Sequence, residues 1–339
     1  MDADLALPAL LPLVAVASSL FTWLALIYAR RRAMFDSPGV RRSHSRPTLR
    51  GGGIGPVLAW LLSALLVDCW QGGLDSGSRW LLLSSSLVAV VSWIDDHRSL
   101  PILPRVAVHL LASGLLVFGV LGFEGSTPGL VLRLLLVFVL LLAINFWNFM
   151  DGIDGIAVMQ SSVSALLLAL AAWVSGSIVP LLLALLLFAA LLGFSPFNLP
   201  KARIFLGDVG STTLGFVLCG VAIIGLTDGS WGWALWPIIA APFLMDAGLT
   251  LLFRLLRGAR WYNPHREHLY QWLHRSGLSH PRIVAIYLAC NLLFVVPAVL
   301  LLLRHPMWWA WLWAGQWLLL ALFWLLARHC LYTRLRGAE

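Results

Sequence analysis

Eleven apolar runs take up most of this chain, at 7–29, 53–67, 80–94, 106–123, 131–150, 156–174, 178–194, 211–226, 234–253, 283–303 and 308–327. A helix needs about 20 mostly apolar residues to cross a bilayer, and only structures that satisfy their own backbone hydrogen bonds persist there. Of the 339 residues, 60% are hydrophobic and 11% charged, more apolar surface than a water-soluble domain can hide. The expected fold is therefore all-α, a polytopic membrane helical bundle of about 11 transmembrane helices in a single domain, 1–339. The opening "MDADLALPAL" lacks a positive n-region and a cleavage site, so the first run reads as a retained span rather than a signal peptide. The four cysteines form no CxxC pair, and Cys219 and Cys290 lie inside apolar runs, where they read as small core residues.

Charge orients the bundle. With the N-terminus outside, twenty of the 23 Lys and Arg fall in loops on the cytoplasmic side, leaving Arg79, Arg133 and Arg304 outside. That asymmetry follows the positive-inside rule and puts the C-terminus in the cytoplasm. It also accounts for the formal charge of +8 without nucleic acid as a partner.

The same topology collects acids at one face. Asp95, Asp96, Asp151, Asp154 and Asp208 all fall at cytoplasmic ends of spans. Carboxylates converging there repel one another unless a cation or cationic groups intervene, and hard oxygen ligands suit Mg²⁺ or Mn²⁺. Asp95–Asp96 close the third run, where an acidic pair is electrostatically wrong for a helix C-terminus, so the pair reads as functional. In "NFWNFMDGIDGIA", Asn145, Asn148, Asp151 and Asp154 recur every third residue and would neighbour one another on a helix. In "IFLGDVGSTTLGF", Gly207 and Gly210 bracket Asp208, and Ser211 or Thr212 is placed to cap the next helix. A glycine turn at a helix N-terminus offers free N–H groups to an anion, with a metal bridging it to Asp208.

Basic stretches face these acids. Seven Arg between 29 and 55 precede Gly51–Gly52–Gly53. Arg50 and Gly52 suit a phosphate, while Gly51 and Gly55 equally suit a GxxxG helix contact, and the Arg cluster suits anionic lipid. Lys201, the only lysine, is either a phosphate contact or a surface residue. The largest cytoplasmic loop, 254–282, carries "HREHLYQWLHRSG", which reads as a short amphipathic helix with His265 and His268 on one face. His268 and Arg266 read as donors to a phosphate-rich ligand. Zinc is the weaker alternative, because HxxH lacks a third ligand. Asp246 lies inside the ninth run, too far from Arg254 along a straight helix, so its partner is expected from another span.

Together, Asp95–Asp96, "NFWNFMDGIDGIA", "FLGDVGSTTLGF" and the His-containing loop resemble the polyprenyl-phosphate N-acetylhexosamine-1-phosphate transferases. The resemblance covers most of the chain. It implies transfer of a sugar-1-phosphate from a UDP-N-acetylhexosamine to undecaprenyl phosphate at the cytoplasmic face of the bacterial inner membrane, with release of UMP. It implies Mg²⁺ on Asp208, and Asp95 and Asp96 acting on the acceptor phosphate. Asn148 and Asp154 match positions in the nucleotide and metal region, and His268 matches a contact to the donor; Asp151, Phe205 and Gly207 are further substrate-binding candidates in the same motifs, with Asp154 favoured over Asp151 as the ligand contact. A homodimer is also implied. Two departures stand out. Ser99 ends any DDxxD pattern, and a His-x-His-His run is reduced to His268 followed by Leu269, Tyr270 and Gln271. The second departure is nearer to the branch that starts O-antigen units on sugars such as N-acetylfucosamine or N-acetylquinovosamine. The rival function, an ion-coupled transporter, requires acids near the midplane and an internal repeat. An alcohol phosphatidyltransferase requires an Ala-Arg pair that "DGIDGIAV" lacks.

Overall fold

The computed structural model describes residues 3–36, 47–71, 74–122, 127–259 and 265–336. The remainder of the Arg-rich 29–55 stretch and of the 254–282 loop lies outside the described residues. The protein is a helical membrane bundle. Its long helices are α1 (Ala3–Arg31), α2 (Ile54–Gln71), α3 (Ser76–His97), α4 (Ile102–Leu121), α5 (Thr127–Met150), α6 (Ile156–Ser175), α7 (Ile178–Asn198) and α8 (Gly207–Thr227). They are followed by α9 (Leu235–Ile239), α10 (Ala241–Leu256), α11 (Leu269–Arg275), α12 (His280–Cys290), α13 (Val296–Arg304) and α14 (Trp309–Arg336). A π-helical turn, Asn291–Val295, joins α12 to α13 into one rod.

All eleven apolar runs are helical, but among the described residues nine helices are long and apolar enough to cross a bilayer. Two fall short. Helix α2 has 18 residues, at the short end of what spans a bilayer. The run at 234–253 is broken at Ala240 into α9 and α10. Pro242 has no N–H to give Ile238, the carbonyl one turn back, so the ladder fails there. Neighbouring side chains repair it. Trp317 Nε1 donates to Pro237 O at 3.1 Å, Gln316 Nε2 to Ile238 O at 3.1 Å and Gln160 Nε2 to Ile239 O at 3.4 Å. A broken helix survives in lipid only where such donors exist.

At the centre stands α8, buried along almost its whole length against α3 and α5, while α14 turns most of its surface outward. Small residues let backbones approach α8 closely, as membrane helix contacts require. A Cβ on Gly53 would strike the Gly210 backbone, and one on Gly215 would strike Ala143 O. Polar pairs join helices as well, the first of these on α8 and the second between α6 and the π-helical turn. Ser92 and Thr212 hydroxyls meet at 2.8 Å, and Asn291 and Gln160 exchange amide bonds at 2.8 and 3.3 Å. Cys219 and Cys290 are buried, as expected, and Cys69 and Cys330 are exposed thiols.

Substitution of Gly53 by Ala is expected to cost about 1–3 kcal/mol through overpacking. Gly114→Ala on α4, where an added Cβ meets nothing, should be neutral or slightly stabilising. Thermal unfolding of the detergent-solubilised variants separates the two.

Candidate active site

One end of the bundle gathers the C-terminal ends of α3, α5 and α7 and the N-terminal ends of α6 and α8, with α11 across from them. They enclose a cavity of about 340 Å³ lined by Asp36, Arg50, Asp96, Asn148, Phe149, Asp151, Gly152, Ile153, Asn198, Phe205, Gly207, Asp208, Ser211, Tyr270 and Gln271. Of the residues expected from sequence, Asp96, Asn148, Asp151, Phe205, Gly207, Asp208 and Arg50 meet here.

The acidic pair at the end of α3 is explained by the helix beside it. Asp96 is 2% exposed, and its Oδ1 and Oδ2 accept from the N–H groups of Asp208 and Val209, both at 3.1 Å. The carboxylate that is wrong for the C-terminus of α3 is thus the N-terminal anchor of α8. This corrects two expectations. Those amides are not left free for a ligand anion. Ser211 and Thr212 do not cap α8: their hydroxyls donate back one turn, to Gly207 O at 3.0 Å and Asp208 O at 2.6 Å. Gly207 takes φ +75°, and a Cβ there would meet the Asp96 carboxylate.

Asp208 then projects from the first turn of α8 into the cavity. Asn148 Nδ2 holds it, donating to its Oδ1 at 2.7 Å and to Ser211 Oγ at 3.1 Å. Asp95 sits behind. Its Oδ2 pairs with Arg105 at 2.7 Å and its Oδ1 accepts from Leu100 N–H at 2.6 Å, so it does not line the cavity.

The periodic series in "NFWNFMDGIDGIA" breaks where α5 ends at Met150. Asn145 donates to Leu141 O within α5. Asp151 lies in the following turn and lines the cavity, whereas Asp154 points away from it. Asp154 Oδ2 accepts from Ala202 N–H at 3.1 Å, and its Oδ1 lies 3.3 Å from His280 Nδ1. Limited access to water, and then the charges of Asp208, Asp96 and Asp154, push the Asp151 carboxyl well above the usual carboxylate range.

The glycine run contacts protein. Gly52 N–H donates to Phe205 O at 2.9 Å and Gly53 N–H to Leu206 O at 2.7 Å, so both amides are taken by the 204–206 segment rather than left for a phosphate. Nor is there a Gly51–Gly55 helix contact, because α2 begins at Ile54; Gly55 packs on Thr22 of α1. Lys201 is exposed and off the cavity wall.

The loop after α10 supplies the opposite wall. The short helix appears as α11, but His265 and His268 precede it, with rings 4.8 Å apart. Asp246, 1% exposed, anchors α11 as Asp96 anchors α8. It accepts from Leu269 N–H at 2.6 Å and Tyr270 N–H at 3.3 Å, and from Tyr287 Oη at 2.5 Å and Trp324 Nε1 at 3.1 Å. Tyr287 and Trp324 come from other spans, as expected, while the two amides come from α11 and a weaker bond at 3.4 Å comes from Thr250 Oγ1 on α10 itself; all five are neutral donors. Tyr270 and Gln271 then reach the cavity, the Tyr270 hydroxyl donating to Phe149 O at 3.0 Å across Gly152. His268 is buried beside Phe149 and Tyr270 at the N-cap of α11. Burial first, then His268 and Arg254, pull the His265 imidazole down to about 4, and burial lowers His268 as well. Both rings are therefore neutral near pH 7 and act through single N–H groups. Arg266 lies beside His265, off the cavity wall, and Arg254 pairs with Glu267.

Sequence reasoning missed Tyr270, Gln271, Asn198 and Asp36 as wall residues. The first two were visible as the positions where the His-x-His-His pattern fails. Asn198 carries no such signal, and donates to Ile204 O while accepting from Gly155 N–H.

The donor set fits a divalent cation of the Mg²⁺ kind. Asp208 and Asp151 present hard oxygens to one cavity, and Asp96 is committed to α8. Among the described residues no three His, Cys, Asp or Glu side chains cage an ion by themselves. That suits Mg²⁺, which keeps waters and substrate phosphates in its shell.

A model of glycosyl transferase family 4 matches residues 78–226, from α3 to the end of α8. The undecaprenyl-phosphate alpha-N-acetylglucosaminyl 1-phosphate transferase of Escherichia coli (strain K12) is 30% identical over 298 residues, 81% of this chain and 79% of that protein. The enzyme of the same name from Shigella flexneri gives the same figures. The decaprenyl-phosphate N-acetylglucosaminephosphotransferase of Mycobacterium tuberculosis (strain ATCC 25618 / H37Rv) is 27% identical over 317 residues, 81% and 78% of the two chains.

Asp246→Ala strips five buried donors of their acceptor and is expected to cost about 3–5 kcal/mol, the range for breaking a buried charged network. Asp246→Asn, which keeps an acceptor, should cost less. Thermal unfolding ranks them, and an Ala variant as stable as the parent would show that Asp246 does not anchor α11.

Proposed function

The chain belongs to the polyprenyl-phosphate N-acetylhexosamine-1-phosphate transferase family, a multi-pass membrane enzyme that transfers a sugar-1-phosphate to a polyprenyl phosphate, and on that footing we propose a specific reaction. The donor is a UDP-N-acetylhexosamine, the acceptor undecaprenyl phosphate, and the product starts O-antigen or a related surface polysaccharide. The site faces the cytoplasm of the bacterial inner membrane, with the N-terminus outside, on the strength of the Lys and Arg asymmetry. The observation that carries the reading is the convergence of Asp208, Asn148 and Asp151 with Arg50 on one cavity at the bundle end.

Both substrates are anions, so their approach must be compensated. Asp208 and Asp151 would hold Mg²⁺ or Mn²⁺, which when bound offsets charge on the donor diphosphate. An oxygen of the lipid phosphate attacks the sugar-linked phosphorus of the donor. The bond from that phosphorus to the bridging oxygen breaks, and UMP leaves with the bridging oxygen. Each Asp96 oxygen accepts one α8 amide and keeps a second lone pair, with which Asp96, with Asp95 behind it, takes the proton of an acceptor that arrives protonated. Arg50, across the same cavity, meets a phosphate. Tyr270 and Gln271, on the cavity wall, would face the donor sugar, and the loss of the second and third His of His-x-His-His at these two positions supports a donor such as UDP-N-acetylfucosamine or UDP-N-acetylquinovosamine. The transporter alternative gains no support: the acids cluster at a bundle end, and the one deep carboxylate, Asp246, binds neutral protein donors.

Membranes containing the protein and undecaprenyl phosphate should release UMP from at least one member of a panel of UDP-N-acetyl sugars. Silence across the panel rejects the proposal. Asp208→Asn is expected to cut turnover by about 10²-fold or more, the scale of losing one transition-state electrostatic contact. It should also abolish the Mg²⁺ dependence of UDP-sugar binding, which calorimetry reads without turnover.

A further inference from the structure

Asp154 falls in the acidic motif yet turns from the cavity, and what it touches gives it another task. Its N–H and its Oδ1 both approach one atom, Nδ1 of His280, at 3.4 and 3.3 Å. His280 opens α12, is largely buried, and its ring lies 4.8 Å from that of His274 in α11. One imidazole therefore joins the 151–155 turn to the corner between α11 and α12.

That corner matters because the cavity has two walls from distant parts of the chain. The 151–155 turn supplies Asp151, and the start of α11 supplies Tyr270 and Gln271. The turn is fastened elsewhere too. Gly155 N–H donates to Asn198 Oδ1 at 3.1 Å, and Asp154 Oδ2 accepts from Ala202 N–H. Those bonds tie it to the 198–204 segment, on the side of α8. The tie between Asp154 and His280 fixes its distance from α11.

We propose that His280 is a positioning residue, which through Asp154 sets the 151–155 turn against the α11–α12 corner and so holds Asp151 at the cavity wall. The chemistry of imidazole suits the task. A ring with hydrogen on Nδ1 donates to the Asp154 carboxylate, and one with hydrogen on Nε2 accepts from the Asp154 N–H. Either tautomer keeps a link, which neither lysine nor a carboxylate achieves from the same place. The effect reaches chemistry through placement: a displacement of about 1 Å remote from the reacting atoms costs on the order of 10²-fold in rate.

The kinetic test rests on the transferase reading. His280→Leu is expected to lower kcat roughly tenfold or more with the donor KM changed by less than about threefold. His280→Asn, whose side-chain amide both donates and accepts, should recover most of the loss. Asp154→Ala, which also loses the bond from Ala202 N–H, should be at least as defective as the Leu variant, and the double variant should be no worse than Asp154→Ala, because the His280 tie is already gone there. A Leu variant at full kcat, an Asn variant as defective as Leu, or losses that multiply would each overturn the proposal. The same four proteins, with the parent, are also compared by thermal unfolding. If the parent releases no UMP the transferase reading fails alone, and the unfolding cycle decides: non-additive shifts support the tie, and additive shifts overturn it.

Discussion

A carboxylate seated on the N-terminus of a neighbouring helix is the contact on which this site is built, and the protein makes it twice. A buried carboxylate in a membrane bundle is costly unless hydrogen-bond donors surround it, and the first amides of a helix are donors without partners of their own. Asp96 takes the first amides of α8, and Asp246 takes those of α11. Each contact settles two deficits at once, and each fixes where a wall residue begins: Asp208 on α8, Tyr270 and Gln271 on α11.

The second anchor depends on the break between α9 and α10, because Asp246 lies on α10. A straight helix through 234–256 would carry Asp246 elsewhere. The interrupted one lets α10 leave at its own angle, with Trp147 packed between Trp236 and Phe243 on either side of the break. Position in the cavity thus descends from Pro242 to Asp246, from Asp246 to α11, and from α11 to the cavity.

Much of this was legible in the sequence, for physical reasons. Apolar runs report helices because lipid demands internally bonded backbone, so all eleven appeared. Acids at span ends reported the site because carboxylates are rare in spans without cause. What the sequence could not carry was direction. Asp96 and Asp95 are adjacent, yet one caps α8 and the other pairs with Arg105. Asp151 and Asp154 share a motif, yet only the first lines the cavity. A three-residue period implies a common face only while a helix lasts, and α5 ends before either acid. The glycines at 51–53 misled in the same way. Their close approach is to the chain at 204–210, a contact between segments far apart in sequence.

The repair of the broken helix bears on how the protein is made. Two of the donors that satisfy the carbonyls around Ala240, Gln316 and Trp317, belong to α14, as does Trp324 beside Asp246. During synthesis α14 follows every other described span out of the ribosome. Until it is inserted, α9 and α10 hold unsatisfied carbonyls and Asp246 lacks one of its donors. The cavity wall formed by α11 therefore reaches its full set of contacts only once α14 is in place, after the helices that carry the site's acids have been made.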